Sequence, residues 1–151
     1  MPRTLGEEII RKVPLLGVDQ ELRSAVAQIV EVDVPALPVC EQSGRLKGIF
    51  GEREFIAAIF PGYLGELSYA GFVTAKAEDQ LEKRRTCFAE PVSRYMNTEH
   101  IDVGTDWSDA QLAETFLHHR VLIIPVVDSG QVYGVVTRSD FFKALAERSS
   151  A

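Results

Sequence analysis

One short run near the end of the chain carries the side chains best suited to holding a ligand. Thr137, Arg138, Ser139 and Asp140 follow a β-branched stretch and open a segment of helical spacing. A strand that feeds a helix at this point presents free backbone N–H groups and two hydroxyls, which favours a bound phosphate. A carboxylate has two acceptor oxygens, so Asp140 is suited to both hydroxyls of a ribose. The run therefore indicates a site for a ribose and a phosphate.

A purely structural role explains the same residues. Thr-x-x-Asp is also a helix-capping pattern, with Thr137 as the N-cap and Asp140 in the first turn. A short motif of this kind does not separate capping from binding, and both interpretations stay open at this point. The elements around the motif have to decide between them.

Those elements belong to a tandem repeat. Residues Ile9–Gln42 align without a gap with Met96–Ser129, and removing one loop residue near Ser43 extends the match. The matched positions are turn glycines, a proline and apolar residues: Gly17 with Gly104, Val34 with Val121, Pro38 with Pro125, Gly48 with Gly134, and Phe55 with Phe141. A unit of roughly 55 residues is marginal on its own, so we expect the two copies to pack as one body.

Each copy is predicted to run strand–helix–strand–strand–helix. The first copy is predicted to contain a helix over Glu21–Val32, strands over Ala36–Cys40 and Leu46–Phe50, and a helix over Glu54–Ile59. The second is predicted to contain an extended stretch Ile101–Val103, a helix Asp106–His119, strands Val121–Val127 and Val132–Val136, and a helix from Thr137 to about Glu147. The fold class is therefore α+β.

The copies are separated by an insert, Pro61–Glu90. Its second half, Lys76–Arg85, is charged and favours a helix, so we expect at least one helix there. Its first half is rich in large apolar residues: Tyr63, Leu64, Leu67, Tyr69, Phe72 and Val73. That apolar area predicts that the insert packs against the repeats. The predicted division is residues 1–60 for the first repeat, 61–90 for a helical connector and 91–151 for the second repeat.

Composition excludes several classes of partner. The 151 residues carry a formal net charge of −6, and an acidic surface does not attract nucleic acid or an anionic membrane. The sequence has no run of about 18 apolar residues, and its first ten residues lack the apolar core of a secretory signal. Cys40 and Cys87 form no CxxC pair. We therefore expect a reduced, cytoplasmic protein.

Other reactive side chains do not form a catalytic or metal-binding set. His118 and His119 are neighbours on a helix and diverge by about 100°, so they cannot easily share one metal ion. Cys87 follows basic residues that would lower the pKa of a thiol, but no His or Asn constellation supports catalysis with it. Trp107 is interpreted as a packing residue or a dimer contact. We expect neither an enzyme nor a metal site.

The second copy resembles the CBS domain (cystathionine β-synthase domain) family. The resemblance rests on Val121–Asp128, Gly130 and Val132–Asp140, together with the Val92–Met96 entry and the doubled layout. It covers nearly the whole chain apart from the insert. It implies a pair of repeats packed about a pseudo-two-fold axis as a regulatory module that binds an adenine nucleotide. It also implies a homodimer. We expect the predicted helices Glu21–Val32 and Asp106–His119 at the interface, with Trp107 near it.

The resemblance also implies roles for individual residues. Asp140 would hold the ribose, while Thr137 and Ser139 would contact phosphate or sugar oxygens. Arg138 would neutralise phosphate, helped by Arg120 and His119 if they point inward. The residues expected along the adenine pocket are Val121, Leu122, Ile124 and Pro125, with Ile101 stacking on the base.

The first copy departs from this pattern, because Gly51 and Glu54 stand in place of the threonine and the aspartate. Its site is therefore interpreted as degenerate. The leading hypothesis is a sensor of AMP, ADP or ATP that requires no cofactor and signals to an unidentified partner protein. A ligand-free dimerisation scaffold and a binder of an adenosyl ligand such as S-adenosylmethionine are the alternatives.

Overall fold

The two repeats fold into matching β-hairpins, each flanked by helices. The computed structural model describes residues 5–61 and 76–150. The first repeat contains α1 (Leu5–Glu8), β1 (Leu16–Gly17), α2 (Leu22–Val32), β2 (Ala36–Cys40), β3 (Leu46–Gly51) and α3 (Glu52–Ile59). The second contains α5 (Asp109–His119), β4 (Ile123–Asp128), β5 (Gln131–Thr137) and α6 (Arg138–Ser149), and α4 (Ala77–Lys83) lies between the repeats. The predicted α+β tandem fold is confirmed.

The sheets differ in size between the repeats. In the first, β1 pairs parallel to β2, and β2 pairs antiparallel to β3. In the second, β4 and β5 form an antiparallel pair, and the predicted stretch Ile101–Val103 contributes one parallel bridge, from Val103 to Val126. The β4–β5 turn places Ser129 and Gly130 at positive φ, at 53° and 82°. That is the conformation a two-residue hairpin turn requires.

Two predicted helix starts were wrong. Helix α5 begins at Asp109 rather than at Asp106, because Ser108 is the N-cap and its hydroxyl accepts the Gln111 N–H at 3.1 Å. Trp107, just before the cap, is buried in the core of the second repeat. Helix α3 begins at Glu52 rather than at Glu54.

The two repeats exchange their entry segments. Arg11, in the entry segment of the first repeat, forms backbone bonds of 2.8 and 2.9 Å with Val135 in β5 of the second. Asn97, in the entry segment of the second repeat, forms the equivalent pair with Ile49 in β3 of the first, at 2.8 and 3.0 Å. Each hairpin is thus completed by the other repeat's segment.

The exchanged segments also bury side chains in the core of the opposite repeat. Leu5 is buried in the core of the second repeat, whereas Cys87 and Val92 are buried in the core of the first. A third cluster joins the hairpins and is made of Ala36, Ile49, Ile123 and Val135. These residues are equivalent pairs in the repeat alignment, so the junction follows the pseudo-two-fold relation.

Glycine is required where each entry segment passes over the hairpin of the other repeat. A Cβ added at Gly134 would lie 2.6 Å from Cγ2 of Ile10 and 2.7 Å from the carbonyl oxygen of Arg11. A Cβ added at Gly48, the matching position in the first repeat, would lie 2.9 Å from the carbonyl oxygen of Asn97. Contacts this short cannot be kept, so a side chain at either position would push the entry segment away.

We expect Gly134→Ala to lower the free energy of unfolding by about 1–2 kcal/mol, the usual cost of overpacking. Chemical denaturation measures this change. Gly17→Ala is the matched control, because no atom lies within 4 Å of a Cβ added there. The control should stay within about 0.5 kcal/mol of the wild type. Equal denaturation midpoints for Gly134→Ala and the wild type would contradict the close contact between Gly134 and the entry segment at Arg11.

The connector contains the predicted helix, and that helix seals the end of α3. Arg84, just after α4, donates from Nε to the carbonyl oxygen of Ala58 at 2.8 Å, and Gln80 donates from Nε2 to that of Ile59 at 3.1 Å. The last carbonyls of a helix lack partners within the helix, so these bonds stabilise its end. The predicted packing of Tyr63 to Val73 falls outside the described residues.

In residues 5–61 and 76–150, no helix combines the length and the apolar character needed to cross a membrane.

Candidate functional site

A cavity of about 690 Å³ opens in front of α6. The second repeat contributes Thr137, Arg138, Ser139 and Lys143 to its wall. The first repeat contributes Arg11, Asp33 and Pro35, and the apolar part of the wall is formed by Leu122 and Phe142. The cavity therefore lies between the repeats and gathers three cationic side chains.

The first-repeat wall is the corner between α2 and β2. Asp33 ends α2 in the left-handed conformation with φ 56°, and Arg120 ends α5 in the same way with φ 52°. Pro35 aligns with Leu122 in the repeat, so the cavity wall combines two equivalent corners. Sequence analysis missed Asp33 and Pro35, although the alignment paired Pro35 with a predicted site residue.

Thr137 caps α6 as the structural interpretation predicts. Its Oγ1 accepts the N–H of Asp140 at 3.0 Å, and its side chain is buried. The N–H of Arg138 donates to the carbonyl oxygen of Leu122 at 2.9 Å, which fixes the start of α6 against the corner before β4. The cap thus holds the first turn of the helix at the cavity.

Asp140 makes an ion pair with Arg11. Nε of Arg11 donates to Oδ2 at 2.5 Å and Nη2 donates to Oδ1 at 3.0 Å, so both carboxylate oxygens are engaged. This pairing is the main cause that lowers the pKa of Asp140. The carboxylate is therefore ionised at neutral pH and acts as an acceptor.

The predicted site residues divide into two groups. Thr137, Arg138, Ser139 and Leu122 line the cavity, whereas Asp140 is not on its wall and is paired with Arg11, which is. The structure does not bring four others to the cavity wall: Ile101, Val121, Ile124 and Pro125. Ile124 is fully buried in the core, and the carbonyl oxygen of Pro125 accepts the N–H of Val103 at 3.0 Å.

The cations beside Arg138 also differ from those predicted. Arg120 and His119 are exposed and do not line the cavity, whereas Arg11 and Lys143 do. Lys143 lies on α6 close to Ser139 in sequence and could have been considered from helical spacing. Arg11 could not, because it is distant in sequence and belongs to the exchanged segment.

The first repeat has its own cavity, of about 880 Å³, at the start of α3. There Glu54 accepts the backbone N–H of Gly51 through Oε1 at 2.9 Å and closes a cap. Burial raises the pKa of this carboxyl group. The carboxylate is used within its own helix turn, and Gly51 stands where the second repeat has the hydroxyl of Thr137, so the first-repeat site is still interpreted as degenerate.

The remaining candidates have structural explanations. Cys87 is buried, and this burial raises the pKa of its thiol, which opposes the thiolate form that reacts. Across the described part of the chain, no three His, Cys, Asp or Glu side chains form a group that could hold a metal ion. The cavity in front of α6 offers three cationic side chains and the hydroxyl of Ser139.

Comparisons with known proteins agree on the fold. The sequence model of the CBS domain matches residues 6–61 and 92–147. The CBS domain-containing protein YhcV of Bacillus subtilis is 23% identical over 137 residues, which cover 91% of this chain and 81% of that protein. The CBS-domain containing protein ATU1752 of Agrobacterium tumefaciens superposes with a TM-score of 0.70 at 21% identity, covering 93% and 95%. The structure of CBSX2 in complex with AMP gives a TM-score of 0.71 at 18% identity, covering 98% and 99%.

Proposed function

This chain belongs to the CBS domain family, and from that premise we propose that it is a regulatory module that binds an adenine nucleotide. The nucleotide occupies the cavity in front of α6, and its occupancy is passed to a partner protein. The module requires no cofactor and is not an enzyme.

The observation that carries this proposal is the convergence of Arg11, Arg138 and Lys143 on one cavity beside the hydroxyl of Ser139. Guanidinium and ammonium groups are the preferred protein partners of phosphate. The first turn of α6 adds the positive end of a helix dipole, although the N–H groups of Arg138 and Asp140 are already bonded within the protein. The volume of about 690 Å³ lies within the range of small-molecule sites.

The choice of an adenine nucleotide draws on the structural likeness to CBSX2, whose structure is described as a complex with AMP. S-adenosylmethionine carries a carboxylate together with a sulfonium cation and no phosphate, so it complements three cationic side chains less well than a nucleotide does. We therefore favour AMP, ADP or ATP.

Titration calorimetry with AMP, ADP, ATP and S-adenosylmethionine tests the proposal. We expect saturable binding of at least one nucleotide, with one molecule bound per chain, and a matching rise in melting temperature because a ligand that binds only the folded state stabilises it. Absence of heat and of a thermal shift with all four compounds would contradict the proposal. That result would favour the alternative hypothesis, a ligand-free dimerisation scaffold.

A homodimer is proposed on a separate observation. Val30 on α2 and Leu117 on α5 occupy equivalent positions in the repeat and are 75% and 78% exposed. Ile56 on α3 and Phe142 on α6 form a second equivalent pair, 59% and 66% exposed. An apolar surface that follows the internal pseudo-two-fold relation suits a self-complementary contact with a second copy.

We expect the wild type to be a dimer by light scattering at micromolar concentration. The double variant Val30→Glu/Leu117→Glu should be a monomer, because it would place charges in a desolvated contact. Leu81→Glu on α4 is the control, since Leu81 is also exposed but lies on a different helix. A monomeric wild type, or a double variant that stays dimeric, would contradict this interface.

A further inference from the structure

Arg11 is paired with Asp140 and also faces the cavity that the proposed function assigns to the nucleotide. It holds both oxygens of Asp140, and it lines the same cavity as Arg138 and Lys143. The Asp140 side chain is 15% exposed, whereas that of Arg11 is 45% exposed. The guanidinium group therefore covers the carboxylate on the side of the cavity.

The backbone of Arg11 is fixed while its side chain can turn. Two bonds of 2.8 and 2.9 Å anchor its N–H and C=O to Val135. The neighbouring Lys12 is held as well, because its Nζ donates to the carbonyl oxygen of Tyr133 at 2.6 Å and lies over the Tyr133 ring. An exposed arginine on an anchored backbone can exchange one anionic partner for another without moving the segment.

We infer that Arg11 makes this cavity selective for phosphorylated over unphosphorylated adenosyl ligands. This inference rests on the proposed function. When a nucleotide binds, the ribose hydroxyls take the place of Arg11 on Asp140, and Arg11 turns to the phosphate. The ion pair is replaced by another ion pair, so the displaced cation keeps an anionic partner.

An uncharged nucleoside cannot make this exchange. Its ribose would have to separate Arg11 from Asp140 and would bring the guanidinium group no new anion, which leaves Asp33 as the carboxylate on the same cavity wall. The hydroxyl–carboxylate bonds that replace the ion pair are charge-assisted as well, so the difference between the two ligands is the phosphate group, which only a nucleotide offers to Arg11. The Arg11–Asp140 pair thus acts against nucleosides and in favour of nucleotides.

The first repeat lacks this device. Asn97 occupies the position that corresponds to Arg11 at the crossing and carries no charge, and Glu54 bonds to the N–H of Gly51 instead. Selection by charge exchange is therefore confined to the cavity in front of α6.

Calorimetry with AMP and with adenosine on the wild type and on Arg11→Gln tests the inference. We expect Arg11→Gln to bind AMP about tenfold more weakly, the loss of roughly one charge-assisted bond. Adenosine should bind as well as before or more tightly, because Asp140 is no longer covered. The ratio of the two dissociation constants should therefore fall by about tenfold or more.

Two further variants control the experiment. Lys12→Gln removes one positive charge from the same segment and should leave the ratio unchanged. Arg11→Lys keeps the charge and should retain most of the preference for AMP. The melting temperature of Arg11→Gln verifies that the variant is folded.

Two results would overturn the inference while leaving nucleotide binding in place. Unchanged dissociation constants for both ligands would mean that Arg11 takes no part in binding, and equal weakening of AMP and adenosine would mean that it only orients Asp140. Failure of the wild type to bind any adenine compound would instead overturn the proposed function, and the inference with it.

Discussion

Asp140→Ala is expected to weaken nucleotide binding by a factor of ten to a hundred or more. The substitution removes the acceptor for both ribose hydroxyls, and each polar group of the ligand left buried without a partner costs about 1–3 kcal/mol. A change of about 1.4 kcal/mol corresponds to a factor of ten in the dissociation constant. Titration calorimetry with the preferred nucleotide measures the change.

The matched control is Glu54→Ala in the first repeat, which should leave affinity nearly unchanged. Both variants remove a carboxylate from the first turn of a helix, so stability has to be followed as well. The pair that Asp140 makes is partly exposed, with Arg11 at 45%, and such pairs contribute at most about 1 kcal/mol to stability. Equal losses of affinity in the two variants would refute the interpretation of the first-repeat site as degenerate.

Restoring the ligand-binding motif in the first repeat is expected to damage the fold rather than to create a second site. Gly51 corresponds to Thr137, but a Cβ added at Gly51 would lie 2.2 Å from the carbonyl oxygen of Pro35 and 2.4 and 2.6 Å from Cβ and Cα of Ala36. Two of these three atoms belong to the backbone, which cannot move aside as the end of a side chain can.

We therefore expect Gly51→Thr to lower the free energy of unfolding by about 3 kcal/mol, the upper end of the usual overpacking cost. For a chain of this size the melting temperature should fall by roughly 6–12 °C. Gly17→Thr is the control, since a Cβ there meets no atom within 4 Å. A Gly51→Thr variant that is as stable as the wild type and binds two nucleotides per chain would contradict this account.

The local parts of the fold were predictable because their signals are local. The β2 strand was predicted with its observed ends, Ala36 and Cys40, since a continuous apolar run lies between a helix end and a turn. The start of α5 was misplaced because Asp106 and Ser108 are both good N-cap residues. The burial of Trp107, which selects Ser108, depends on the packed core.

Only the part of the site that the second repeat contributes could be predicted from the sequence. The run Thr137–Asp140 was found because hydroxyl, cation and carboxylate follow one another in sequence. Arg11 was not, because its contact with Asp140 depends on the exchange of entry segments between the repeats. A pattern within one repeat contains no information about which hairpin its entry segment joins.

The exchange of entry segments also bears on the origin of the chain. Two separate copies of a single repeat could satisfy the same bonds, those of Arg11 with Val135 and of Asn97 with Ile49, as a domain-swapped homodimer. Fusing two such genes would preserve these bonds and require only a connector. It would also free folding from its dependence on protein concentration, because association becomes intramolecular. The exchanged bonds are thus compatible with a single-repeat ancestor that was already a swapped dimer.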